Sequence, residues 1–283
     1  MKTSVFLSLV VFTFAVRAFA DNDVHLVQLP SGMTSLESLR GADSSTVAKF
    51  MNRARPGDWG EVPKESVGES GWAAIGQGKD AFVVLLDFSG RGLFNKLMVY
   101  SPAKPGQVEV QELTGWGMGK LKDIIRDLDS NGEDELVIPT ILGAPGGWLP
   151  ASAAHTWSAV YRLDNGKYIE ASRDFPNFYD KEVLPQLDKE ITGAQQRFDE
   201  GRESAAGVAL EEIQKDKILR VLGRDPTAGL QQAYQWMNSG DSQQVQCAIA
   251  TFEDIGGHAK ELSIAKQALQ PALQREQAAR SGG

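Results

Sequence analysis

Hydrophobic positions along the chain change period near residue 175. Between residues 81 and 171, short apolar runs are cut by turn residues. Segments 81–88, 94–101, 107–113, 122–127, 135–140, 157–163 and 167–171 each have strand length and a composition rich in β-branched and aromatic residues. Their separators include Pro102-Ala-Lys-Pro-Gly106 and Asp164-Asn-Gly166. The second is a hairpin signal, because Asn and Gly tolerate positive φ. Consecutive strands joined by tight turns predict an antiparallel meander. After Phe175-Pro-Asn-Phe-Tyr179 the spacing becomes helical: Val183, Leu187, Ile191, Ala194 and Phe198 line one face. Asp225-Pro226-Thr227 opens a helix carrying Leu230, Ala233, Tyr234 and Met237 on its face. Asp241-Ser242 starts another, with Val245, Ala248, Ile249, Phe252 and Ile255 inward and Gly256-Gly257 at its end. A last helix over 259–273 is expected to break or bend at Pro271. Residues 21–80 read as an irregular lead-in, with one helix at 44–53 where Val47, Phe50 and Met51 share a face. The predicted class is α+β: an antiparallel β region at 81–175, then an α-helical region at 176–283.

The first twenty residues form a different pattern. Lys2 precedes a mostly apolar stretch from Val5 to Val16 and the small-x-small ending Ala18-Phe-Ala20. That is the pattern of a cleavable secretory signal, too short in its apolar part to span a bilayer comfortably. The expectation is a periplasmic or secreted protein with no stable membrane insertion after cleavage. With 29 basic against 37 acidic residues the chain has a formal net charge of −8. Losing Lys2 and Arg17 makes it more acidic still. An acidic chain without basic clusters argues against nucleic acid and anionic membranes as partners, and makes divalent cations the natural charged ligand. Cys247 is the single cysteine, so the fold rests on its hydrophobic core without an internal disulfide. Its apolar neighbours favour a buried, inert thiol over a nucleophile.

The most informative segment is Asp127-Leu-Asp-Ser-Asn-Gly-Glu-Asp-Glu135. Asp127, Asp129, Asn131, Glu133 and Glu135 stand at alternate positions, with Gly132 at position six. Alternate side-chain oxygens can turn inward around one hard cation, the seventh position can offer its carbonyl, and the glycine permits a sharp turn. The expected ion is Ca2+; magnesium demands a tighter octahedral site. Position twelve is Ile138 where a helix–loop–helix calcium site has a bidentate Glu, and both flanks are β-rich. The site is therefore read as strand–loop–strand. The bland alternative is a polar hairpin, since turns favour Asp, Asn and Gly.

Residues 121–140, Leu-Lys-Asp-Ile-Ile-Arg-Asp-Leu-Asp-Ser-Asn-Gly-Glu-Asp-Glu-Leu-Val-Ile-Pro-Thr, resemble the calcium loop of the FG-GAP or integrin-α-type (VCBS-like) β-propeller repeat. The resemblance implies a calcium-stabilised β-blade and an extracytoplasmic role in contacts with other molecules, without catalysis. One clear copy is present, with a degenerate relative at residues 86–92 that keeps only Asp87. About seven strands amount to one or two propeller-like blades rather than a closed ring. Residues 225–257 resemble a single HEAT-type helical unit; ordinary helical hairpins packed on the β part are the alternative.

Other features carry less. Trp116, Trp148, Trp157 and Tyr161, together with the loop Leu142-Gly-Ala-Pro-Gly-Gly-Trp-Leu-Pro150, read either as a ligand contact or as rings capping the core where sheet meets helix. His25, His155 and His258 have no metal-ligand neighbours at helical or turn spacing. Gly115-Trp-Gly-Met-Gly-Lys120 lacks the spacing and the following Ser or Thr of a phosphate loop, and no Gly-x-Ser-x-Gly elbow occurs. Two function classes remain. One is an exported non-catalytic calcium-binding module that contacts a protein or glycan partner; the other is an extracytoplasmic hydrolase with a structural calcium and catalytic groups that no motif reveals.

Overall fold

The computed structural model describes residues 23–57, 59–88, 94–141, 156–202, 205–224, 228–255 and 258–281. The leader expected at 1–20 lies outside them. The fold is mixed α+β, with two antiparallel sheets followed by a helical C-terminal region. In the first sheet, β2 (Val67–Ala74), β3 (Asp80–Asp87), β4 (Phe94–Pro102) and β5 (Gln107–Trp116) form a meander, and β1 (Val24–Gln28) pairs outside β5. The β3 run Ala81-Phe-Val-Val-Leu-Leu86 is buried throughout. A continuous apolar run is what a strand covered on both faces requires. One face, with Phe82, Val84, Leu86, Met98 and Tyr100, packs under α1 (Ser44–Arg53) through Val47, Phe50 and Met51. Asp43 caps that helix, its carboxylate accepting from the Thr46 N–H at 2.7 Å.

The second sheet has consecutive order: β6 (Ile125–Arg126), β7 (Glu135–Ile141), β8 (Thr156–Asp164) and β9 (Lys167–Glu170). It stacks on the first. Val83, Leu85, Leu97 and Val99 from one sheet meet Leu136, Ile138 and Tyr168 from the other in a shared core. Gln111 ties the layers: its side-chain amide donates to the Tyr168 carbonyl at 2.7 Å and accepts from the Tyr168 N–H at 2.7 Å. At Gly115 a Cβ would lie 2.1 Å from Met118 Cε and 2.8 Å from Ile138 Cγ2. The glycine-rich segment 115–120 is thus a close-packing turn between the sheets.

Helices cover the outer face of the second sheet. A turn α2 (Leu121–Ile124) precedes β6; α3 (Pro176–Phe178) and a π-turn at Tyr179–Val183 lead into α4 (Leu184–Asp199). Val137 and Val160 pack against Phe175, Phe178, Tyr179 and Leu187, and the Tyr179 hydroxyl donates to the Ser158 carbonyl at 2.6 Å. Then α5 (Ala205–Val221), α6 (Ala228–Met237), α7 (Ser242–Ile255) and α8 (Ala259–Ser281) follow, each packed chiefly on its sequence neighbours. Of the helix faces read from spacing, Leu187, Ala194, Ala233, Met237, Val245, Ala248 and Phe252 are buried. The side chains of Phe198, Leu230 and Ile255, and the start signal at residues 225–227, lie outside the described residues.

Three local expectations are corrected. The lead-in at 21–80 contributes two strands. β2 contains Gly68, Glu69, Ser70 and Gly71, a composition poor in strand formers, and its pairing with β3 overrides that preference. The strand expected at 122–127 starts as the helical turn α2, and only Ile125–Arg126 pair as a strand. Leu121 and Ile124 both face the inter-sheet core, and a spacing of three keeps two side chains on one face in a helix but not in a strand. Of the break or bend expected at Pro271, the break does not occur, since the last helix runs through that residue. Among the described residues, no helix is long and apolar enough to cross a membrane.

Candidate metal centre

The acidic loop joins β6 to β7, whose pairing sets Ile125 opposite Leu136 and Arg126 opposite Glu135. Eight residues, 127–134, connect the strands through two left-handed positions, Ser130 at φ +60° and Gly132 at φ +84°. The carboxylates organise the turn. Asp127 accepts from the N–H groups of Asn131 (3.1 Å) and Gly132 (3.0 Å). Asp129 accepts from the Asn131 N–H (3.2 Å) and from its side-chain amide (3.1 Å). The Asn131 side-chain oxygen accepts from the Glu133 N–H at 2.6 Å.

Glu135 differs from the others. It begins β7 and is only 1% exposed. One oxygen, Oε2, accepts from the Leu128 N–H at 2.8 Å. The other, Oε1, is shut off from solvent and has no hydrogen-bond partner among the described residues. One oxygen each from Asp127, Asp129 and Glu135 lie within 4.8 Å of one another. Burial pushes the Glu135 carboxyl above its ordinary range, and the negative charges of Asp129 and Asp127 push it the same way, against the opposing Leu128 hydrogen bond. An ionised carboxylate removed from water needs a compensating positive charge. This cluster can hold a metal ion.

Of the five residues singled out by spacing, the structure thus brings together Asp127, Asp129 and Glu135. Asn131 sits in the same turn as a hydrogen-bonding spacer. The Glu133 side chain lies against Gly76 of the β2–β3 turn, where a Cβ would stand 2.1 Å from its Oε1. Gly76 also adopts φ +76°, so both space and backbone call for glycine. Asp134, at an even position and absent from the spacing argument, anchors the loop. Its N–H donates to the Ala74 carbonyl at 2.7 Å and its carboxylate accepts from the Ala74 N–H at 2.6 Å. The loop is therefore fastened to the edge of the first sheet while belonging to the second. No periodicity in the sequence marks that contact.

The remaining candidates are placed as follows. Trp157 is buried between sheet and helices, with the Lys217 ammonium 5.7 Å from its ring centroid. Tyr161 is half-buried in the same region, Trp116 is half-buried at the end of β5, and Trp148 with its loop lies outside the described residues. His25 meets the edge of Trp59 at 5.5 Å; His258 stands 2.9 Å from the Arg220 guanidinium; His155 is outside the described residues. Cys247 is buried among Trp236, Ala248 and Phe252, and burial pushes its thiol up to about 12. A thiol so raised is a core side chain rather than a nucleophile. The degenerate acidic segment 86–92 is only partly described. Compared with known proteins, the chain matches no family model, no curated protein and no solved structure.

Proposed function

We propose that this chain is an exported, non-catalytic calcium-binding module whose ion clips the loop between β6 and β7 and whose surface contacts a protein or glycan partner. The observation that carries the reading is Glu135: a buried carboxylate oxygen without a partner, beside two further carboxylates in a loop of calcium-type spacing. The loop supports calcium over magnesium because its ligands come from an irregular turn, and calcium accepts flexible oxygen geometry where magnesium does not. Export rests on the leader pattern of residues 1–20, and the absence of catalysis rests on the resemblance of residues 121–140 to a repeat used for contacts.

Calcium bound only to the folded state stabilises it by about 2.7 kcal/mol at a hundredfold excess over the dissociation constant. The test is thermal unfolding of residues 21–283 in EDTA, calcium and magnesium, with calorimetric titration. A calcium-specific rise in Tm with one ion per chain is the expected result. The same Tm in all three conditions, with no heat of binding, would reduce the loop to a solvated turn.

A further inference from the structure

An open sheet ends in a row of unpaired backbone N–H and C=O groups, and natural sheets blunt such rows with bulges, charges, prolines, short strands or covering segments. Three of the four sheet edges of this fold are blunted. At β2 the register shifts between Val67 and Glu69. On the same strand, the Ala74 N–H donates to the Asp134 carboxylate at 2.6 Å and the Ala74 carbonyl accepts from the Asp134 N–H at 2.7 Å. The Glu69 side chain accepts from the Leu121 N–H at 2.8 Å. At β9 the N–H and C=O of Tyr168 are both taken by the Gln111 side chain, each at 2.7 Å. At β6 the edge is only two residues long, between a helical turn and the acidic loop.

The β1 edge has none of these devices. Its five residues, Val24-His-Leu-Val-Gln28, include no charged residue and no proline, and they pair with β5 without a register shift. The Leu29 N–H donates to the Gly106 carbonyl at 2.8 Å, which sets the alternation along the pair. His25 and Val27 bond to β5, while Val24, Leu26 and Gln28 turn their N–H and C=O groups outward. Those outward groups have no hydrogen-bond partner among the described residues. Leu26 shares a face with its β5 neighbour Glu109, the face that carries the second sheet: Glu109 stands against Gly166 of the β8–β9 turn, and Gln111 against Tyr168. The second sheet thus reaches as far as β5 and stops, and β1 overhangs it. Leu26 is in consequence 54% exposed, the most exposed large apolar side chain among the described residues.

We propose that two copies of this chain pair through β1, antiparallel and centred on Leu26, so that their first sheets become one continuous sheet. The strand is complementary to itself. A two-fold axis sets Leu26 opposite its own equivalent, Val24 opposite Gln28 and His25 opposite Val27, so no like charges meet. In that register each outward N–H of one copy meets an outward C=O of the other. The axis stands perpendicular to the sheet, so both Leu26 side chains lie on one face and cover each other beyond the edges of the second sheets. A strand of another protein would also fill the hydrogen bonds, but β1 has no charge with which to select it. A second copy brings both the bonds and the matching apolar side chain. The edge extends only about 17 Å, so the dimer is a weak one, with a dissociation constant on the order of 10 μM. No residue of this edge belongs to the acidic loop, and the inference does not rest on calcium.

The experiment is sedimentation velocity of the chain as purified after export, from about 1 μM to about 1 mM, with amide hydrogen exchange followed by NMR at both ends of that range. The wild type should pass from monomer to dimer. The amides of Val24, Leu26 and Gln28 should exchange about tenfold more slowly at the upper end, while those of His25 and Val27, bonded within the chain, are protected at both. Leu26→Glu sets two carboxylates face to face and should stay monomeric; an equal amount of Leu26→Lys should restore a dimer containing one copy of each. A wild type that stays monomeric throughout overturns the proposal and leaves the edge to a strand of another protein. So does a dimer that survives Leu26→Glu, a Glu–Lys mixture that stays monomeric, or a dimer in which the Val24, Leu26 and Gln28 amides exchange as fast as in the monomer.

Discussion

Two turns of nearly the same composition join neighbouring strands of the second sheet, and they differ in what their acids face. The β8–β9 turn, Asp164-Asn-Gly-Lys167, closes in two residues. Asn165 and Gly166 adopt φ +50° and +85°, the mirror-type hairpin that a right-handed strand twist favours. Its acid, Asp164, is exposed and accepts from the Asn165 side-chain amide at 3.1 Å. The β6–β7 turn also uses two left-handed residues, Ser130 and Gly132, yet it ends on Glu135, which is drawn inside the protein with one oxygen unsatisfied. Asp, Asn and Gly therefore do not distinguish a plain hairpin from an ion site. What sets the second turn apart is one buried carboxylate, whose charge out of reach of water is neutralised either by a proton or by a cation.

The sharpest way to separate the two turns is to remove one acid from each. With calcium at about a hundred times its dissociation constant, the wild-type chain should gain about 2.7 kcal/mol, which for a chain of this size raises Tm by roughly 5–10 °C. Asp129→Ala should abolish that rise and leave the Tm in EDTA little changed. Asp164→Ala should keep the full rise and shift stability by less than about 0.5 kcal/mol. A calcium response lost in the hairpin variant, or retained in the loop variant, would reverse the assignment.

Glycine replacement gives the next largest effect. Alanine in the left-handed region costs about 1–2 kcal/mol, so Gly132→Ala and Gly166→Ala should each lower stability by that amount in urea unfolding. The two costs should be alike, since nothing stands within 4 Å of a Cβ at Gly132 and the atom 2.9 Å from one at Gly166, Glu109 Oε2, ends a flexible side chain that can move. The smallest expected effect is on the ion-free protein. Glu135→Gln removes a buried charge beside Asp127 and Asp129, and in EDTA it should be as stable as wild type or up to about 1 kcal/mol more stable, while losing the calcium response.

The pH dependence sharpens the same point. Burial and the neighbouring acids raise the folded-state pKa of Glu135 above its unfolded value. A raised acid binds its proton more tightly when folded. Its contribution is fully present below the unfolded carboxyl range and is lost as pH rises through the folded value. In EDTA, wild type should therefore lose stability relative to Glu135→Gln as pH rises through that window. Parallel profiles for the two proteins would show that Glu135 carries no such strain.

Much of the fold was legible. α1 was readable because Val47, Phe50 and Met51 repeat at helical spacing and all pack on the first sheet. The apolar runs of β3, β4, β7 and β8 were readable because each is buried on one or both faces. β2 was not, because its glycines and polar residues contradict its state and only the paired β3 holds it extended. α2 was not, because Lys122-Asp-Ile-Ile-Arg126 has strand composition while Leu121 and Ile124 need a common face. At the candidate site, the alternation of acids pointed to Asp127, Asp129 and Glu135, but equally to Glu133, which turns away to Gly76.

Taken alone, the sequence determined the kind of most elements and the place of the acidic loop, because hydrophobic period and turn chemistry act over a few residues. Tertiary structure decided that Glu135 is buried with an unsatisfied oxygen and that Asp134 fastens the loop to Ala74. Each of those depends on which segment from a distant part of the chain excludes water or supplies a partner. Desolvation is set by that packing and leaves no local period to read.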